Sequence, residues 1–304
     1  MGKHAYLVLA HNQKNLLFEL LNEIDDSEND IFLHIDKKFN IQFDEIKTHI
    51  VKSKCYFVEQ LSIGWGGEAL VRATLELLEK STGTGKYEYY HLISGQDYPL
   101  KSQKEIHEFF HRHSGMEFIS CTPMQPSCAE RIKFYYYFQD VFGGRTLFNK
   151  VVKEISIRVQ RLLKTDRTKG KFNTYGIGAQ WFSITDRMAR YVVSCKRPIE
   201  ENFYKCYCAD EIFLQTIWLN APFYSEELRY HSGIRDNPYI DEIYFDVMRA
   251  TDWKRGTPYV FDEKDYELLI NSGCLFARKM SEEKSMKLIC MLKRNIEKAN
   301  GSIS

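Results

Sequence analysis

Two apolar runs near the N-terminus constrain the fold of this chain more than any other feature. Residues 6–10 read YLVLA and residues 30–36 read DIFLHID, and nearly unbroken apolar runs of this length are typical of strands buried on both faces of a sheet. The sequence between them repeats apolar residues at helical spacing, at Leu16, Leu17, Leu20, Leu21 and Ile24. This order predicts a βαβ unit, because parallel neighbours need a crossover connection. We therefore expect an α/β protein with a mostly parallel central sheet flanked by helices.

The length and composition predict one folded domain. At 304 residues the chain is long for one domain and short for two, so we expect a single domain over residues 1–304 with a C-terminal elaboration. The net charge of +1 argues against a general nucleic-acid binder. The eight cysteines form no CxxC pair, so neither a zinc site nor a disulfide framework is indicated. No stretch has the pattern of a signal peptide or a membrane span, so we expect a cytoplasmic location.

Polar residues stand where the predicted strands end, which is where ligands bind in open α/β sheets. His11 follows the first strand and Asp36 closes the second. A later strand-like run, residues 87–93, leads into the turn SGQDYPL, which contains Asp97. All three are candidates for contacting a ligand, although such residues also occur at ordinary strand ends and turns. No G-x-G-x-x-G sequence follows the first strand, so the dinucleotide-binding fingerprint is absent.

Two adjacent acids, Asp210 and Glu211, open an apolar repeat at helical spacing over residues 212–219. Acids are common in a first helical turn, because the exposed N–H groups and the helix dipole favour negative charge, and both carboxylates can serve that purpose alone. Adjacent helical residues, however, point about 100° apart. If Asp210 caps the helix, Glu211 can project into a cleft, where an ionised carboxylate is a candidate general base.

Residues 145–171 combine an apolar stripe with a strong positive charge. The segment holds nine Lys or Arg residues against Glu154 and Asp166, and its apolar residues recur at helical spacing. Two interpretations remain open. Either the stripe packs on the core and the basic face is solvated, or the helix lies in the interface of an anionic membrane. The second interpretation predicts a peripheral contact with the inner membrane face.

Eight segments, taken in order, resemble the motifs of the core-2/I-branching glycosyltransferases, a family that includes the peptide O-xylosyltransferases (glycosyltransferase family 14). The segments are LVLAHNQ, HIDKK, WGGEALVRATLELL, HLISGQDYPL, GAQWFSIT, CADEIFLQT, RATDWKRGTPYVF and LFARKM. They extend over roughly residues 4–280. The resemblance implies a GT-A-type fold and an inverting reaction from a UDP-sugar, without a divalent metal or another cofactor. Animal members carry an N-terminal membrane anchor and a stem that this sequence does not show, so we expect a bacterial, cytoplasmic member.

The resemblance also suggests that the two halves of the chain have different roles. Residues 1–120 would form the nucleotide-binding half, and residues 121–304 would form the acceptor-binding and catalytic half. The expectation that Arg255 and Lys279 contact the donor diphosphate comes from the resemblance alone. The expected donor-side residues are His11, Asp36, Asp97, Arg255 and Lys279, and the expected acceptor-side residues are Glu130, Arg131 and Trp181. No metal ligand is expected, because the turn SGQDY has one acid where many GT-A enzymes have D-x-D.

These observations predict an inverting, metal-independent glycosyltransferase with Glu211 as its general base. The expected reaction moves GlcNAc or xylose from a UDP-sugar to a hydroxyl of a glycan or lipid-linked saccharide, in the synthesis of a bacterial surface polysaccharide. One carboxylate suffices, because a phosphate leaving group needs its charge stabilised, whereas a glycosidase needs two opposed carboxylates. Two alternatives remain: an inverting glycoside hydrolase, and a non-catalytic module that binds nucleotide-sugars.

Overall fold

The computed structural model describes residues 2–137, 139, 147–234, 237–240, 242–299 and 301, and a six-stranded sheet lies at the centre of this part of the chain. In chain order, the strands are β1 His4–Ala10, β2 Asn29–Ile35, β3 Lys54–Phe57, β4 Tyr89–Ser94, β5 Asp97–Pro99, β6 Phe118–Ile119, β7 Thr122–Pro123, β8 Gly176–Ile177, β9 Phe182–Thr185, β10 Arg249–Thr251 and β11 Phe276–Arg278.

The helices are Lys14–Ile24, Phe43–Lys47, Ala69–Thr84, Gln103–Arg112, Glu130–Lys133, Leu147–Leu162, Asp186–Ser194, Lys196–Phe203, Phe213–Leu219, Glu242–Phe245, Tyr266–Ile270 and Glu282–Ala299. Short 3₁₀ turns occupy Pro126–Cys128, Ala209–Glu211, Glu226–Leu228 and Glu263–Asp265.

The order of strands in the central sheet is β3-β2-β1-β4-β9-β6. Strands β3, β2, β1 and β4 run parallel to one another, and β9 runs antiparallel to both β4 and β6. A mostly parallel sheet with helices between its strands confirms the predicted α/β class.

Helices cover both faces of this sheet. Leu7 of β1 packs in a cluster with the helix Ala69–Thr84, and Val8 packs on the opposite face with the helix Lys14–Ile24. All seven residues of β1 are buried. Burial on both faces is the reason that this strand is apolar without alternation.

A three-stranded sheet of order β10-β11-β5 lies beyond the end of β4. Strand β11 pairs antiparallel with β5, which places Arg278 opposite Asp97. Arg249 of β10 is fully buried, and its Nη2 donates to the carbonyl oxygens of Leu92 and Phe182, at 3.0 and 3.1 Å. This side chain therefore ties the smaller sheet to the central one, at the carboxyl end of β4.

The helix Leu147–Leu162 lies on the surface and carries most of the predicted basic segment, whose first cation, Arg145, is outside the described residues. Ile157 and Gln160 face the rest of the molecule and are buried. The interpretation in which the apolar stripe packs on the core is wrong, because five of its side chains are exposed: Val151, Ile155, Val159, Leu162 and Leu163. Within the described ranges, no helix is both long enough and apolar enough to span a bilayer.

Candidate active site

Asp36 organises the loops that follow the carboxyl end of β2. Its Oδ1 accepts a hydrogen bond from the Lys38 backbone N–H at 2.8 Å, and its Oδ2 accepts one from the Ile63 N–H at 3.1 Å. The Lys38 Nζ donates to the Ile63 carbonyl oxygen at 2.7 Å. The Asp36 Oδ2 and the Lys38 Nζ therefore hold the loop of residues 61–67 in place, and the predicted contact of Asp36 with a donor stays a prediction.

Asp97 forms a buried ion pair that the sequence did not predict. Its Oδ1 accepts from the Arg278 Nη1 at 2.8 Å, and its Oδ2 accepts from the Ser94 N–H at 3.1 Å. The Arg278 guanidinium also lies 4.4 Å from the centroid of the Trp181 ring. Asp97 was predicted on the donor side and Trp181 on the acceptor side, and Arg278 contacts both of them. In the sequence, Arg278 is marked only by its position next to Lys279.

A positively charged region forms where β1 and β11 end. Partial burial lowers the pKa of the His11 imidazole, and the charges of Arg278 and Lys279 lower that pKa further. His11 and Lys279, both predicted on the donor side, therefore belong to one region. An open groove of about 470 Å³ lies beyond the neighbouring strand β2 and is lined by residues 37–44 and Gln60.

Arg131 holds the segment that carries Glu211. Its Nη2 donates to the Glu211 Oε2 at 2.6 Å and to the Cys208 carbonyl oxygen at 2.7 Å, and its Nε donates to the Tyr207 carbonyl oxygen at 3.2 Å. The Glu211 side chain remains 44% exposed. Two residues predicted for the reaction are therefore in direct contact, with the carboxylate oriented by the guanidinium and still accessible to a substrate.

Asp210 does not cap a helix, contrary to the prediction. Asp210 and Glu211 lie in the 3₁₀ turn Ala209–Glu211, and the following helix, Phe213–Leu219, has no side-chain cap at Ile212. The Asp210 side chain is buried, and its Oδ1 has no hydrogen-bond partner among the described residues. Burial, and then the charge of Glu211, raise the pKa of Asp210 to about 7.

We expect Asp210→Asn to stabilise the fold in a pH-dependent way. Near pH 4 the carboxyl is protonated in the folded chain and only about half ionised in the unfolded chain, so its ionisation costs less than about 1 kcal/mol. As the pH rises towards 7, the unfolded chain loses the proton while the folded chain retains it, and stability falls. The variant should therefore gain up to about 4 kcal/mol over wild type near pH 8, and almost nothing near pH 4. Urea unfolding at the two pH values measures this, and an equal difference at both would contradict it.

Two glycines allow other backbone segments to approach the loop before Glu211. Gly178 donates its N–H to the Glu211 carbonyl oxygen at 2.9 Å, and a Cβ on Gly178 would lie 1.9 Å from the Ser120 carbonyl oxygen. Gly66 has a φ of +69°, its carbonyl oxygen accepts from the Cys208 N–H at 2.9 Å, and a Cβ there would lie 2.9 Å from the Cys208 Sγ. Close packing of the backbone therefore explains why both positions lack a side chain.

Two chain segments connect the Glu211 region with the positively charged region. The loop of residues 61–67 is bonded to Asp36 at one end and to Cys208 at the other. Residues 178–181 run from the Glu211 backbone to Trp181 and its contact with Arg278. Within the first segment the half-exposed Trp65 ring lies 5.8 Å from the Tyr207 ring, and offers a flat apolar surface near Glu211. We therefore treat both regions as parts of one candidate site.

Two predicted site residues are engaged in other contacts. Glu130 accepts from the Arg161 Nη2 with both carboxylate oxygens, each at 2.9 Å. Arg255 donates its Nε to Asp252 and its Nη1 to Asp265, the latter at 2.7 Å. The Arg255 guanidinium also lies over the rings of two tyrosines. Their predicted roles, acceptor binding for Glu130 and diphosphate binding for Arg255, stay predictions.

The described ranges contain neither a candidate metal site nor a disulfide. No group of three or more His, Cys, Asp or Glu side chains there is arranged to hold a metal ion. All eight cysteines lie in those ranges, and each is a free thiol.

Comparisons with known proteins were made for both the sequence and the structure. A model of the Core-2/I-Branching enzyme family matches residues 4–267. A comparison with curated proteins gives no match. Among solved structures, S. aureus TarS is 18% identical with a TM-score of 0.28, over 36% of this chain and 20% of TarS. TarS 1–349 in complex with UDP-GlcNAc is 15% identical with a TM-score of 0.27, over 36% of this chain and 32% of that one. TarS 1–349 without a ligand named is 12% identical with a TM-score of 0.26, over 77% of this chain and 75% of that one. The matched part thus spans a fifth of the TarS chain.

Proposed function

This chain belongs to the Core-2/I-branching enzyme family of glycosyltransferases, and on that premise we propose that it transfers a sugar from a UDP-sugar to a hydroxyl group with inversion at the anomeric carbon. The donor sugars we propose are GlcNAc and xylose. The acceptor is a glycan or a lipid-linked saccharide, and the reaction serves the synthesis of a bacterial surface polysaccharide on the cytoplasmic side of the membrane. The proposed GT-A-type fold and the independence from metal come from the same family resemblance.

The contact between Glu211 and Arg131 is the observation that carries the proposed mechanism. A general base must be accessible and held in a fixed orientation. The Glu211 carboxylate meets both conditions, because it is partly exposed and its Oε2 is held by the Arg131 Nη2 at 2.6 Å. Arg131 also holds the backbone on the N-terminal side of Glu211 through Tyr207 and Cys208. We assign Arg131 a positioning role in addition to its predicted contact with the acceptor.

In the proposed reaction, the acceptor hydroxyl attacks the anomeric carbon from the face opposite UDP. Glu211 takes the hydroxyl proton while the new C–O bond forms. The bond between the anomeric carbon and the phosphate oxygen breaks, and its electron pair leaves with UDP. One carboxylate therefore accounts for the proton, and the charge on UDP must be stabilised elsewhere.

The positively charged region at the ends of β1 and β11 is the proposed place for the diphosphate. Lys279 is near enough to His11 to lower its pKa, as is Arg278. Fixed cations can compensate the charge that develops on a leaving phosphate. We propose that Lys279 and Arg255 contact the diphosphate and that His11 lines the donor side, while the buried Asp36 and Asp97 hold the neighbouring loop and Arg278 in place. On the acceptor side, the half-exposed Trp65 supplies an apolar ring face for sugar C–H groups. Trp181 is buried and packs against Arg278, so its predicted contact with an acceptor stays a prediction.

Incubation with UDP-GlcNAc, UDP-xylose or UDP-glucose, with and without a mixture of glycan acceptors, tests this proposal. We expect one donor to raise the melting temperature, because a ligand that binds only the folded state adds about 2.7 kcal/mol of stability at a hundred times its Kd. The same donor should release UDP only when an acceptor is present. Cleavage of a glycan without any nucleotide would instead indicate a hydrolase, and a thermal shift without UDP release would indicate a binding module.

A further inference from the structure

We propose that the outer face of the helix Leu147–Leu162 is a docking surface for an anionic lipid bilayer. We define this outer face by five apolar side chains, which are between 48% and 83% exposed: Val151, Ile155, Val159, Leu162 and Leu163. The first four recur every three or four residues, so they lie on one side of the helix. Such a stripe exposed to water is unfavourable unless another apolar phase covers it.

The opposite side of the same helix already supplies its packing. Ile157 is buried against Phe134 and Tyr136. The Gln160 side chain accepts from the Tyr135 N–H at 2.7 Å and donates to the Tyr135 carbonyl oxygen at 3.0 Å. The outer face is therefore not required to hold the helix on the protein, and its apolar composition calls for a different explanation.

The charge distribution indicates which kind of surface would cover the outer face. Residues 147–171 contain eight Lys or Arg residues and two acids, a net charge of +6. The whole chain has a net charge of +1, so all the other residues together carry −5. Lys164, Lys169 and Lys171 are exposed just after the outer face. Apolar side chains flanked by lysines are the combination that binds the boundary between acyl chains and anionic headgroups.

A second copy of the chain fits the outer face less well than a bilayer does. A symmetric dimer would place two segments of net charge +6 against each other. A single stripe of five side chains is also well short of the roughly 20–30 residues that each partner contributes to a stable interface. A bilayer with anionic lipids can cover the apolar stripe with its acyl chains and attract the positive charge with its headgroups.

The helix also contacts the segments that hold Glu211, so docking would fix the candidate site relative to the membrane. Lys153 on its inner side has its Nζ 4.1 Å from the centroid of the Tyr207 ring, and Arg161 pairs with Glu130. Both partners are next to residues that contact Glu211 or its loop. The docking inference itself rests on the exposed stripe and the charge, and it does not depend on the sugar-transfer reaction.

Vesicle flotation at low salt tests the apolar part of the inference. Wild type should float with vesicles of phosphatidylglycerol and phosphatidylcholine in equal parts, and should stay in solution with phosphatidylcholine alone. The triple variant Ile155→Ser, Val159→Ser, Leu162→Ser should bind the anionic vesicles roughly tenfold or more weakly. Val51→Ser removes an apolar side chain that is outside the outer face and even more exposed, and this variant should bind like wild type. An unchanged melting temperature shows that the variants fold.

The charge part is tested by Lys164→Gln, Lys169→Gln, Lys171→Gln in one variant. These lysines are preferable to Lys153 and Arg161, which contact other parts of the protein. We expect weaker binding at low salt and a smaller loss of binding when salt is added. The inference is overturned if wild type does not bind anionic vesicles, binds neutral vesicles as strongly, or binds no better than the serine variant. A dimer in sedimentation equilibrium that the serine variant abolishes, without vesicle binding, would assign the outer face to a second copy.

Discussion

Replacing Glu211 with Gln is expected to lower the rate of sugar transfer by about 10²- to 10⁴-fold, which is the usual contribution of a general base. The amide keeps the shape of the side chain and an oxygen that can accept from Arg131, so the loop and the fold should remain intact. The amide cannot take up the hydroxyl proton. Affinity for UDP should therefore stay close to wild type, as measured by calorimetry, while UDP release in the presence of acceptor falls.

The neighbouring acid provides the comparison for this variant. Asp210 is one residue away, but its side chain is buried, whereas that of Glu211 is partly exposed. Asp210→Asn should therefore affect turnover far less than Glu211→Gln. The assignment of the base would be wrong if Glu211→Gln kept more than about a tenth of the wild-type turnover, or if the order of the two variants were reversed.

Sugar transfer should survive an excess of EDTA, and Lys279→Ala should lower kcat/KM by roughly a hundredfold or more. Negative charge accumulates on UDP as the glycosidic bond breaks, and it must be compensated inside the site. The strand end that would carry a D-x-D pair in many GT-A enzymes has Asp97, whose Oδ1 is bonded to Arg278 at 2.8 Å. Without a metal ion, fixed cations can compensate the charge on the leaving UDP. Because that charge develops mainly in the transition state, loss of such a cation should lower turnover more than it weakens acceptor binding.

Arg255→Ala should also reduce turnover, but its effect must be separated from a loss of stability. Arg255 pairs with Asp252 and Asp265, both buried, and removing one partner of a buried ion pair costs about 3–5 kcal/mol. The melting temperature of Arg255→Ala should therefore fall, and turnover is compared at a temperature at which both alanine variants remain folded. Lys284→Ala removes an exposed cation close in sequence and serves as the matched control. Activity abolished by EDTA and restored by Mn²⁺, with both alanine variants near wild type, would contradict the proposal.

Periodicity along the chain was sufficient to predict the α/β class and the first βαβ unit. The run of residues 6–10 became part of β1, with parallel neighbours on both sides and helices on both faces. These predictions succeed because a strand that is buried on both faces is rich in apolar side chains at successive positions, and that pattern is visible in the local sequence.

The sequence alone thus determined the class of fold, the polar residues at strand ends and Glu211 as the candidate base. Only the tertiary structure decided which partner each charged residue has. Arg131 and Glu211 are eighty residues apart and Asp97 and Arg278 are farther apart still, yet each pair is in contact. The same holds for the basic helix, whose apolar stripe has the spacing of a core-facing helix and nevertheless faces outward. Helical spacing shows which side chains share a face, but the contacts of distant segments decide where that face points.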